Sequence, residues 1–143
     1  MLPRLPAMLW AGGAGSPAEY VGGTLETLQP GGGTILISDP LCFVFQSKRA
    51  TVRIPYERIN LLEYGQNVDR RILESILISP LFMLSKKRAH FLSLGYETED
   101  GRQEALVFRV DKKAVRAVLV SLEARTGRKV VYQDEEARKA GKG

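Results

Sequence analysis

The stretch QEALVFRVDKKAVRAVLVSLEARTG, residues 103–127, decides the fold. Its first eight residues alternate. Ala105, Val107 and Arg109 fall on one side of an extended chain, and Leu106, Phe108 and Val110 on the other. A period of two is the mark of a β-strand. At Asp111 the period changes. Asp111 suits an N-cap, because its carboxylate accepts an orphan amide of the first helical turn. Val115, Val118, Leu119 and Leu122 follow at helical spacing and form one apolar stripe. Arg125 suits the negative end of a helix, and Thr126-Gly127 stops it, since glycine accepts a left-handed backbone. A strand that runs into one helix with a single apolar stripe predicts a bent sheet whose open core end the helix closes.

Upstream, short apolar runs alternate with turn residues. Glu97–Gly101 reads as a hairpin turn, its Asp100-Gly101 pair being a strong signal for one. His90–Tyr96 is the strand before it. Tyr20–Leu28, Thr34–Ser38 and Leu41–Gln46 read as strands, separated by the turn Gln29–Gly33 and by Asp39-Pro40. Ser47-Lys48-Arg49 is a polar hairpin tip. Ala50–Gly65 holds one or two more strands, with Pro55 marking an edge or a kink because it donates no ladder hydrogen bond. Downstream of the helix, Val130–Tyr132 offers a short extended piece before a charged tail, residues 134–143. Residues 1–19 are poor in charge and rich in Gly, Ala and Pro, which predicts a flexible arm. A weak signal-like reading competes there, with Ser16-Pro17-Ala18 at signal-peptidase spacing. Pro3, Pro6 and the glycines interrupt that reading.

About seven strands and a terminal helix resemble a bacterial pleckstrin-homology-like or GRAM-like domain over residues 20–133. The matching segments are Tyr20–Thr24, Ile54–Ile59, Lys86–Leu92 and Leu122–Val130. The resemblance implies an antiparallel barrel capped by the helix, and a binding or scaffold role without catalysis. Two departures separate the chain from the phosphoinositide-binding members. The first hairpin loop, Gln29–Gly33, carries no charge, and the capping helix has no tryptophan; the single tryptophan is Trp10.

Composition narrows the function. The chain has 143 residues, 44% hydrophobic and 26% charged, which fits one folded domain. One cysteine excludes an internal disulfide, and one histidine excludes His-rich metal sites. His90 has no nucleophile motif beside it. Cys42 lies in an apolar run and reads as a packing residue. Glu97, Glu99 and Asp100 bunch without the spacing of a calcium loop. Gly31-Gly32-Gly33 lacks the Lys-Ser/Thr and the helix of a phosphate loop. No enzyme, metal or cofactor is expected. The net charge of +5 invites nucleic acid, but the bases are interleaved with acids and no recognition motif appears.

One segment has no use in such a fold: RRILESILISPLFMLSKKR, residues 70–88, inserted between two strands. Nine of the 13 residues from Ile72 to Leu84 are large and apolar, and Asp69–His90 holds five bases against two acids. Read as a helix, Ile72, Leu73, Ile76, Leu77, Pro80, Leu81 and Leu84 make one stripe, with Ile78 and Phe82 on its flank. Thirteen helical residues reach about 20 Å, short of the ~30 Å of a hydrocarbon core, so the segment cannot span. It can lie in an interface, with bases in the headgroup layer adding ~1 kcal/mol each. The residues expected to touch a lipid or a partner are Arg70, Arg71, Leu77, Ile78, Leu81, Phe82, Lys86, Lys87 and Arg88. The expected partner is an anionic membrane surface, with membrane-peripheral or cytoplasmic placement, or export if residues 1–18 act as a signal peptide. The alternatives are a local helix or a long hairpin packed on the sheet, or an apolar patch for a protein partner or a second copy of the chain. No nucleic-acid partner is expected.

Overall fold

A computed structural model describes residues 15–66, 68, 71–72, 77–78 (backbone only), 90–133, 138–139 and 141. The chain is mainly β. Its strands are β1 (Gly15–Gly23), β2 (Gly31–Leu36), β3 (Cys42–Gln46), β4 (Thr51–Pro55), β5 (Ile59–Gly65), β6 (Leu77–Ile78), β7 (Phe91–Glu97), β8 (Gln103–Val110) and β9 (Val131–Tyr132). One long helix, α1 (Lys112–Thr126), separates β8 from β9. The sheet runs β4-β3-β2-β1-β8-β7-β5-β9, and β6 pairs with β1 beyond the end of β2. All pairings are antiparallel except β5 with β9.

The expected closed barrel does not form; the sheet stays open between β4 and β9. Two local causes act together. The chain leaves β4 through Pro55 and a 3-10 turn, Tyr56–Arg58, rather than a hairpin. The free edge of β5 is then taken by β9, with Glu63 opposite Val131 and Tyr64 opposite Tyr132. An edge already paired cannot close a ring.

Three boundaries also move. β1 begins at Gly15, so Gly15–Glu19 belong to the sheet rather than to a flexible arm. The Ser16-Pro17-Ala18 triplet is strand, with Ala18 paired to Gly33 on one side and Val110 on the other. The stretch expected as strand to Leu28 turns away after Gly23. There the Thr24 amide and hydroxyl both donate to the Ala105 carbonyl (2.9 and 3.4 Å) and end the ladder. Gly31–Gly33 are the start of β2, not a turn, and Gly31 has φ +151°, a conformation open to glycine.

Packing follows the alternation read in β8. Leu106, Phe108 and Val110 face the main core with Tyr20, Phe43, Phe45, Leu92 and Leu94. Phe108 has Phe45, Tyr20 and Phe43 around it, with ring centroids 4.9, 5.7 and 5.8 Å away. The helix closes this core with Val115, Val118, Leu119 and Leu122, all fully buried. Asp111 caps it by accepting the Lys113 amide at 3.1 Å, and Gly127 ends it at φ +73°. Ala105 and Val107 face the opposite side of the sheet, where a second, smaller cluster forms.

Candidate functional site

The smaller cluster is where the inserted segment is rooted. On the outer face of the sheet lie Val21, Phe91, Ala105 and Val107, and Val68 and Ile72 pack onto them. Val21 is the extra residue of a bulge, since β1 pairs with β8 at Tyr20 and Gly22 but skips the residue between. A bulge re-aims a strand and increases its twist. Arg71 is exposed while its neighbour Ile72 is buried, so the segment leaves the sheet with its first described base in solvent.

The segment is not one continuous helix. Leu77 and Ile78 are extended, and their backbone pairs with Gly23 and Gly22 of β1. Beyond Tyr20, β1 has outrun β2, whose last partner is Gly31. The bare backbone groups of Gly22 and Gly23 need partners, and a Leu-Ile pair suits a strand. Arg70, Leu81, Phe82, Lys86, Lys87 and Arg88 lie outside the described residues.

Beside this root is a cavity of about 280 Å³, lined by Thr24, Leu61, Glu63, Arg71, Ile72, Gly95, Gln103, Glu104 and Ala105. Its floor follows from register. Leu61, Gly95 and Ala105 stand side by side on β5, β7 and β8, and the two smallest leave the space. A Cβ at Gly95 would come within 2.9 Å of the Leu61 Cβ. The polar walls are engaged: Gln103 and Asn60 exchange two amide hydrogen bonds (2.9 and 3.0 Å), and Glu104 accepts from Arg102 at 3.2 Å. Glu63 accepts from Gln133 at 3.3 Å. The volume lies at the lower end of small-molecule sites. Nothing in the residue order announces this cavity; it depends on which strands become neighbours.

His90 is 2% exposed and stacks on Tyr64, ring centroids 5.5 Å apart. Neither of its ring nitrogens has a hydrogen-bond partner among the described residues. Cys42 is half-buried opposite Pro55. Asp100 is held in its turn by the Thr98 hydroxyl and by Arg102, and the Thr98 hydrogen bond keeps its carboxyl below the usual range. Asp39 accepts the amides of Leu41 and Cys42 (2.8 and 2.9 Å), which also lowers its pKa. No helix among the described residues is long and apolar enough to cross a membrane. Among them no group of His, Cys, Asp and Glu is arranged to hold a metal ion.

No family model matches the chain, and no curated protein matches it.

Proposed function

We propose that the chain is a non-catalytic binding module of pleckstrin-homology-like fold that contacts an anionic membrane peripherally through residues 70–88. The strand order β4-β3-β2-β1-β8-β7-β5, with one C-terminal helix over the main core, supports the fold reading.

One observation carries the membrane reading. The main core is filled by strands and by α1, and the described apolar side chains at the root of the insertion, Val68 and Ile72, pack on the other face of the sheet. By sequence, the remaining apolar residues of the segment are more than a small sheet capped by one helix needs. A strip of this composition flanked by Arg70-Arg71 and Lys86-Lys87-Arg88 matches an interface, where apolar side chains enter the acyl boundary and bases meet anionic headgroups.

The test is co-sedimentation with vesicles of phosphatidylserine and phosphatidylcholine, against phosphatidylcholine alone. The variant is Phe82→Ser with Lys86→Glu and Lys87→Glu. Leu77 is left intact because its backbone belongs to β6. The wild-type chain pellets with the anionic vesicles, and a clearly smaller fraction of the variant does. Equal partition of the two proteins refutes the reading. A concentration-dependent mass in light scattering that the variant abolishes, without vesicle binding by either protein, moves the segment to self-association.

A further inference from the structure

The exposed face of α1 is too basic for the needs of the fold. Residues 111–129 hold six bases, Lys112, Lys113, Arg116, Arg125, Arg128 and Lys129, against Asp111 and Glu123. All six are exposed. Both acids are committed to backbone amides: Asp111 accepts from Lys113, and Glu123 accepts from Val130 at 2.8 Å. No ion pair engages Lys113, Arg116, Arg128 or Lys129 among the described residues. The first turn of α1 contains two lysines and no acid. That is the end of a helix where its dipole disfavours cations and favours carboxylates. Folding alone would select the opposite charge there.

Apolar atoms accompany these bases. The large hydrophobic residues most exposed among those described are Leu41 at 75%, Val120 at 56% and Val131 at 53%. Val120 lies on the solvent face of α1 between the exposed Ala117 and Ala124. The Leu41 carbonyl accepts the Tyr56 amide at 2.9 Å, and the Arg125 guanidinium sits 5.6 Å above the Tyr56 ring. Val131 follows the residue whose amide Glu123 holds. All three therefore lie on α1 or on segments attached to it.

We infer that the solvent face of α1 is a docking surface for an anionic phospholipid bilayer, separate from the inserted segment. A helix of 15 residues lays its cations along about 22 Å, and clusters of four to eight bases suit acidic headgroups. The exposed Val120 and Leu41 favour a bilayer over a nucleic acid. Acyl chains accept them, whereas a phosphate backbone does not, and among the described residues no tyrosine or phenylalanine is an exposed large hydrophobic that could stack on a base. The surface is also independent of the insertion. α1 covers the face of the sheet that carries Leu106 and Phe108, and the insertion is rooted on the face that carries Ala105 and Val107.

The decisive variant is Lys113→Glu with Arg116→Glu. It keeps the helix, because a carboxylate in the first turn suits the dipole, and its circular dichroism and melting temperature verify this. Vesicles containing phosphatidylserine are titrated with wild type, with this variant, and with the Phe82→Ser/Lys86→Glu/Lys87→Glu variant, at low and high salt. The helix variant is expected to bind at least about ten-fold more weakly than wild type at low salt, and the difference narrows at high salt. Wild-type affinity in the folded helix variant overturns the inference, and leaves the insertion reading standing if only the insertion variant fails. Loss in the helix variant with retention in the insertion variant upholds the inference and removes the insertion reading. Binding to a single- or double-stranded oligonucleotide without any binding to vesicles also overturns it.

Discussion

Phe108 sits at the middle of the aromatic cluster, with Tyr20, Phe43 and Phe45 around it and no exposure of its own. Phe108→Ala removes the shared partner of three rings and leaves a cavity between strands from both halves of the sheet. The expected cost is about 3–5 kcal/mol in urea unfolding. Tyr20 and Tyr96 report on the same interior through their hydroxyls. Burial raises both pKa values to about 12; the smaller cause is the Tyr96 charge for Tyr20, and for Tyr96 the Glu104 charge, which Arg102 opposes. The unfolded chain ionises near 10, so above that pH it binds fewer protons than the folded one. Stability is therefore complete below about pH 10 and falls toward pH 12, by about 1.4 kcal/mol per pH unit for each tyrosine. Alkaline unfolding of Tyr20→Phe is expected to lose part of that slope; an unchanged slope would show that the group is not protected. Gly23 is the third residue of this kind. A Cβ there would lie 2.6 Å from the Ala105 carbonyl oxygen and 2.5 Å from the Tyr20 hydroxyl. Gly23→Ala should cost about 1–3 kcal/mol through overpacking.

Among the elements, α1 was the most legible. Its cap, its buried stripe and its terminal glycine all follow from local chemistry, and the structure places them at Asp111, Val115–Leu122 and Gly127. Asp111→Ala is expected to cost about 1 kcal/mol, because one amide of the first turn loses its acceptor. Lys113→Glu is expected to raise the melting temperature through the dipole, by about 0.3–1 kcal/mol of stability, while it weakens vesicle binding. β8 was equally plain, since its alternation sorts side chains between two faces that are both covered. The beginnings of β1 and β2 were hidden. Gly15–Glu19 and Gly31–Gly33 have little β-propensity of their own and are strand because β1 and β2 pair there, Gly15–Pro17 against Leu36–Thr34 and Ala18–Tyr20 against Gly33–Gly31. Read as a helix, the segment puts Leu77 in its apolar stripe and Ile78 on the flank. They are extended because the unpaired end of β1 offers a ladder that the local sequence does not encode.

At the scale of the molecule, one sheet with two covered faces separates two surfaces. The main core and α1 occupy one face, and the inserted segment is rooted on the other beside the cavity over Gly95 and Ala105. A filled cavity tests whether that space matters. Ala105→Val introduces a β-forming side chain and reduces the volume, and any small apolar molecule that raises the melting temperature of wild type should lose its effect on this variant. The sequence alone determined the mainly β class, the single capping helix and its core stripe, and the apolar composition of the strip between basic clusters. All of these rest on periodicity and on chemistry between near neighbours in the chain. The open sheet, the parallel seating of β9 on β5, the anchoring of β6 and the cavity were decided by tertiary structure. Each depends on which strand edge is left unpaired when distant segments meet, and an unpaired edge is a property of the assembled sheet rather than of any residue in it.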